Sequence, residues 1–208
     1  MLAHRIRLTG RVPVTSAVTL YDATSDGFLN SSNATYSVAA AGTGTFTVDT
    51  TATNVACYGD TVYNLYESFV SFDLSSIPAG AVLNSAAMAF GLIQAPNSAN
   101  PVTMEVRKYN WGGSLSSANW RTPAQLTALN LACSRLFTST DPVGGARYTL
   151  TNGTLLADLT PGVVNYFVFN ASGLRSGTAP TGVEVVNFYS ANFSGNTDAP
   201  SLAVNYTY

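Results

Sequence analysis

Side chains able to do acid–base or covalent chemistry are few in this chain, and they are scattered. His4 is the one histidine among 208 residues. A Ser–His or Cys–His couple needs an imidazole within reach of its nucleophile, so its only candidate base lies at the extreme N-terminus. Cys57 and Cys133 stand in no metal-ligand spacing, and with one histidine they do not make the three or four good ligands of a zinc site. Each is expected to be a small buried apolar residue, with a bridge between them as the alternative. Glu67, Glu105 and Glu184 are the glutamates, each flanked by apolar residues. Glycoside hydrolysis needs two carboxyls across a cleft, and no spacing makes two of these converge; ion pairing with Arg107 or Arg121 is the plainer role. Asp22-Ala-Thr-Ser-Asp26-Gly27 carries half the pattern of a calcium loop without its closing glutamate. An Asx-type turn ending in Gly27 explains it better. The expectation is a non-enzyme with no catalytic set, no cofactor and no metal site.

Binding chemistry has more to work with. Trp111 and Trp120 bracket Gly-Gly-Ser-Leu-Ser-Ser-Ala-Asn, which reads either as an exposed loop with two platforms for stacking sugar rings or as tryptophans closing the end of a core. Arg5, Arg7 and Arg11 alternate through His-Arg-Ile-Arg-Leu-Thr-Gly-Arg, the pattern of an edge strand or of an arm docking on an acidic partner. Tyr206 and Tyr208 close the chain and fit a last strand or a subunit contact. Asn-x-Ser/Thr triplets begin at Asn30, Asn33, Asn152, Asn170, Asn192 and Asn205; in a chain this rich in Asn, Ser and Thr they read as turn and strand-edge chemistry.

Composition narrows the partners. Charged residues are 10% of the chain against about 25% in ordinary domains, and Lys108 is the only lysine. Lysine and glutamate are depleted at protein interfaces, so a surface poor in both suits a homo-oligomer packed against neighbours. A formal charge of −2 supplies no basic field for nucleic acid. No stretch reaches the roughly 18 apolar residues of a membrane span. The opening Met-Leu-Ala-His-Arg-Ile-Arg does not run into an apolar stretch as a secretory leader does, so synthesis in the cytoplasm is expected.

The elements that must position these residues are strands. Period-two alternation separated by Gly, Asn, Pro and Ser clusters predicts strands over 5–9, 17–21, 34–39, 44–49, 66–73, 82–93, 102–110, 146–150, 163–170, 182–191 and 201–207. Between Tyr66 and Leu74 both faces carry an aromatic, which predicts a central strand covered on both sides. Thr122-Pro-Ala-Gln125 is a capping box with proline at the first helical position, the one helix signal, placing a short helix near 122–130. An all-β antiparallel sandwich, jelly-roll-like, follows, with an arm or edge strand over 1–20 and a single domain over 21–208.

Tyr66-Glu-Ser-Phe-Val-Ser-Phe-Asp-Leu-Ser-Ser-Ile-Pro-Ala-Gly-Ala-Val-Leu-Asn-Ser-Ala-Ala-Met-Ala-Phe90 resembles the central signature of DNRLRE-type β-sandwich domains. Trp111 through Trp120, then Thr122 to Leu131, is similar to that family's tryptophan segment, with Asn119 where aspartate is usual. Ala199-Pro-Ser-Leu-Ala-Val-Asn-Tyr206 is similar to its closing strand, with Ala199 and Ser201 replacing Asp and Lys. Upstream, Asp22-Ala-Thr-Ser-Asp-Gly-Phe-Leu, Ala41-Gly-Thr-Gly-Thr-Phe and Tyr63-Asn-Leu-Tyr-Glu-Ser-Phe look like the version found in tailed-bacteriophage proteins. The resemblance covers about 22–208. It implies a virion structural protein, as capsid decoration or as tail or fibre component, with other virion proteins as partners and a host-surface contact as a further role. A carbohydrate-binding or adhesive module of a secreted or surface protein is the alternative.

Overall fold

The computed structural model describes residues 13–22, 26–51, 54–57, 62–97, 99–144, 146–150, 153–192 and 198–208, with backbone alone over 54–57. His4, Arg5, Arg7 and Arg11, the strand expected over 5–9 and Asn152 lie outside the described residues.

Two antiparallel sheets pack face to face. Sheet 1 runs in the order β1 (Thr15–Tyr21), β12 (Ser201–Thr207), β6 (Val82–Gln94), β11 (Val186–Tyr189) and β4 (Asn54–Cys57), with β9 (Ala146–Leu150) also on β6. Sheet 2 runs β3 (Thr45–Asp49), β2 (Gly27–Asn33), β5 (Tyr63–Asp73), β10 (Val164–Ala171), β7 (Val102–Lys108) and β8 (Leu131–Phe137). The all-β sandwich expected from the sequence is the observed fold.

Alternation decides which side chains meet. Val70 and Phe72 of β5, Met88 and Phe90 of β6, and Leu74 after β5 are fully or almost fully buried. Aromatic rings lock the sheets together: Phe90 of sheet 1 meets Phe169 of sheet 2 edge-on at 5.0 Å, and Phe188 of sheet 1 meets Phe137 of sheet 2 at 5.6 Å. Edge-to-face pairs at such spacing add about 1 kcal/mol each beyond burial. The Ile77-Pro-Ala-Gly80 turn, closed by the Ala81 N–H on the Pro78 carbonyl at 2.8 Å, carries the chain from sheet 2 to sheet 1.

Sheet 2 is covered on its outer face as well. Leu29, Leu65, Phe69 and Val168 form a second core with Trp111, Trp120, Leu126 and Leu174. The lid over it is built from α1 (Tyr36–Ala40), α2 (Pro123–Ala128), α4 (Ser172–Ser176) and a 3-10 turn at Ser117–Asn119; α3 (Leu155–Asp158) packs instead near β6 and β8. The two-sided burial expected of β5 is therefore observed. α2 is closed by the predicted box, with the Gln125 N–H on Thr122 Oγ1 at 3.4 Å and the Thr122 N–H on Gln125 Oε1 at 2.9 Å.

The structure corrects some element assignments. Residues 34–39, expected as a strand, enter α1, because burying Ala39 and Ala40 on the outer face of sheet 2 outweighs the local alternation. Among the described residues three helices beyond α2 are present, and β2, β4 and β8 are strands that the periodicity did not announce.

Candidate contact surface and the polar sites beneath the cap

The residues read as chemical candidates are absorbed by the fold. Glu67 is fully buried, and both of its oxygens accept the Arg121 backbone N–H, at 3.2 and 3.0 Å. Burial pushes its carboxyl well above the ordinary range against the lowering effect of that bond and of the Arg121 charge. Glu105 is 5% exposed. It binds Arg107 Nη2 at 2.8 Å and Arg175 Nε at 2.9 Å. Burial pushes its carboxyl up, yet the hydrogen bonds and charges of the two arginines win and hold it below the ordinary range. Arg107 is the ion-pair partner expected for a glutamate; Arg121 engages Glu67 through its backbone, while its guanidinium lies 4.5 Å over the Tyr109 ring. Glu184 accepts the Thr181 N–H at 3.4 Å.

Asp22 and Asp26 stitch the sheets where β1 hands over to β2. Asp22 Oδ1 accepts the Ser71 N–H of sheet 2 at 2.7 Å, and Asp26 Oδ2 accepts the Ala191 N–H after β11 at 2.8 Å. Burial raises the Asp26 carboxyl, partly offset by hydrogen bonds from Asp22 and Ala191. The Asx-type turn expected over Asp22–Gly27 is corrected: both carboxyls accept from backbone N–H groups distant in sequence, and Gly27 opens β2 without a positive φ. Among the described residues, no three His, Cys, Asp or Glu side chains gather as metal ligands.

The glycan-stacking expectation for Trp111 and Trp120 is corrected. The indoles are 4% and 6% exposed, with Trp120 Nε1 donating to the Ala40 carbonyl at 3.1 Å and Trp111 packed edge-on against Tyr166 at 5.1 Å. The apolar outer face of sheet 2 needs a cover, and these rings are its largest pieces, so neither presents a face to a sugar. Cys133 is free and fully buried, and burial pushes its thiol up to about 12; the Cys57 side chain lies outside the described residues. Asn30 and Asn170 are buried too, so those two triplets are core chemistry.

What remains exposed is the outer face of sheet 1. Register aligns Thr19 with Ala203 and Ala87, and Ala17 with Asn205 and Ser85. Thr15 and Tyr21 continue the same face on β1, and Asn84 lies beside it on β6, donating to Thr207 Oγ1 at 2.8 Å. Apart from Tyr21 these positions are small, and all are uncharged; Asn205 Nδ2 donates to Ser85 Oγ at 2.7 Å, and a shallow depression lies over Ala17, Thr19, Ala203 and Asn205. Tyr206 is half-buried on the main core, whereas Tyr208 is 42% exposed, the rings 5.9 Å apart. Tyr206 lies in a last strand, as expected, and that strand, β12, is hydrogen-bonded on both sides, so that β1 and not β12 forms the margin. Sequence reasoning missed this face because its Ala, Ser, Thr and Asn carry no chemical signal until the register sets them side by side.

No protein-family model matches the chain, and no curated protein matches it either.

Proposed function

We propose that this chain is a structural component of a tailed-bacteriophage virion, a capsid decoration or a tail or fibre module that works by packing against other virion proteins and copies of itself, with host-surface contact as a further role. The observation that carries the reading is the exposed face of β1, β12 and β6, whose own residues carry no charge, bordered by the exposed Val14, Tyr21, Val82 and Tyr208 and, at one end, by Arg147 of β9, which donates to Ser201 Oγ at 2.6 Å. A protein that stays single in solution keeps charge on its surface and avoids contiguous exposed apolar patches; here Asp22, Asp26, Glu67, Glu105 and Arg107 are buried inside the fold. The resemblance of Tyr66–Phe90 to DNRLRE-type domains, and of the upstream segments to their phage versions, supplies the virion context.

Mass spectrometry of purified virions from the chain's source tests this reading. The expected result is the chain at a copy number comparable with known structural proteins. Its absence from particles, together with a purified chain that stays monomeric, overturns it.

A further inference from the structure

Half of the backbone of β1 is spent on β12. Val14 and Tyr208 exchange both backbone hydrogen bonds, at 3.1 and 3.2 Å, and the Asp22 N–H donates to the Pro200 carbonyl at 3.0 Å. Even-numbered positions therefore turn toward β12, and the alternation of an antiparallel strand turns the N–H and C=O of Thr15, Ala17, Thr19 and Tyr21 outward. No strand pairs with them among the described residues.

The other margins are blunted. β4 has four residues, β3 has five and ends in Asp49, β9 has five and carries Arg147, and β8 carries Arg135, has a register shift against β7 and takes the Thr154 N–H on its Leu131 carbonyl. β1 runs seven residues, Thr-Ser-Ala-Val-Thr-Leu-Tyr, without charge, proline or bulge, the devices by which monomeric proteins keep sheet edges from pairing. Val14 and Tyr21 at its two ends are each 48% exposed.

We propose that a second copy of this chain pairs with β1, antiparallel about a two-fold axis through Val18, so that two copies of sheet 1 become one continuous sheet. A two-fold contact requires a self-complementary strand, and this register provides one. Thr15 faces Tyr21 and Ala17 faces Thr19, so every outward-turned backbone meets another, giving roughly eight hydrogen bonds. On the inner side Val18 meets Val18 and Ser16 meets Leu20. Val18 and Leu20 are only partly buried against the main core, and the second copy closes over them. The inference deepens the packing role by naming the partner. Its test reads association alone, so failure here leaves virion incorporation to be decided by the particles.

Sedimentation velocity of the full chain over roughly 1–100 µM, where mass action governs the dimer, is the experiment. The wild-type chain is expected to dimerise. Ala17→Pro removes an outward N–H and no bond to β12, a position where edge strands tolerate proline; it is expected to raise the dimer Kd about a hundredfold with an unchanged circular dichroism spectrum. Thr19→Lys, on the exposed face, gives the same result should the proline disturb the strand. Under mild oxidation Val18→Cys forms an intermolecular disulfide, its Cβ atoms about 5 Å apart in such a pair, while Leu20→Cys does not. A wild-type chain monomeric throughout, a dimer indifferent to both edge substitutions, or equal cross-linking at positions 18 and 20 overturns the proposal. So does a dimer that appears only after residues 1–12 are removed, which would assign the edge to the chain's own N-terminal segment.

Discussion

The Arg121 backbone N–H is held by both carboxylate oxygens of Glu67, and this contact ties the Trp111–Trp120 excursion to the strand beneath it. Glu67 lies on β5 among apolar side chains, so its charge has no water to solvate it. Burial therefore shifts its balance toward the neutral form.

The sign of the pH dependence follows. A carboxyl raised by folding costs nothing below its ordinary value of 4.5 and destabilises progressively as pH climbs through its folded value. The wild-type chain is expected to lose stability as pH rises above 4.5, relative to Glu67→Gln, which has no proton to lose. Melting curves of both proteins at several pH values read the difference; parallel curves would refute it.

Glu105 pulls the other way. Its carboxyl is held below the ordinary range once the two arginines are counted against burial, so its contribution is present above 4.5 and disappears as pH falls through the folded value. Glu105→Ala strands the buried Arg107, whose side chain is 7% exposed, and is expected to cost about 4 kcal/mol in urea unfolding. Arg175→Ala removes the partner that is 31% exposed and should cost about 1 kcal/mol, since solvent screens it.

Gly42 follows α1 with φ of +69°, and a Cβ there would stand 2.4 Å from Trp120 Cδ1. Gly42→Ala is therefore expected to lower stability by about 2–3 kcal/mol, combining left-handed strain with displacement of the indole, and to shift tryptophan emission to the red. Trp111→Ala should cost about 3–5 kcal/mol without selectively abolishing retention on any glycan. Glycan binding by the wild-type chain that vanishes in a folded Trp111→Ala variant would reverse this assignment.

Much of the sandwich was legible because its central strands carry alternation that burial reinforces. β5, β6, β7, β10 and β12 lie within a few residues of their expected spans, and α2 begins at its capping box. β2 was hidden because Asn30 and Ser31 read as turn residues, although both are buried and Asn30 Nδ2 donates to the Leu65 carbonyl at 3.2 Å. β8 was hidden because Leu126, Leu129 and Leu131 continue a helical spacing across the real boundary. The second core explains the tryptophans: of the two readings the sequence left, rings closing a core is the one observed, although nothing local reveals that the core in question lies on the outer face of sheet 2. The contact face was least legible of all, since it exists only in the register of three strands distant in sequence.

Amide hydrogen exchange along β1 tests most directly the central claim, that the face and margin of sheet 1 are covered in the assembled protein. The N–H groups of Ser16, Val18 and Leu20 turn toward β12 and are expected to be protected at every concentration. Those of Thr15, Ala17, Thr19 and Tyr21 should exchange freely in the dilute chain and slow by about a hundredfold or more on assembly, as opening free energies of a few kcal/mol require. Rapid exchange at those four positions in the assembled state would contradict the account.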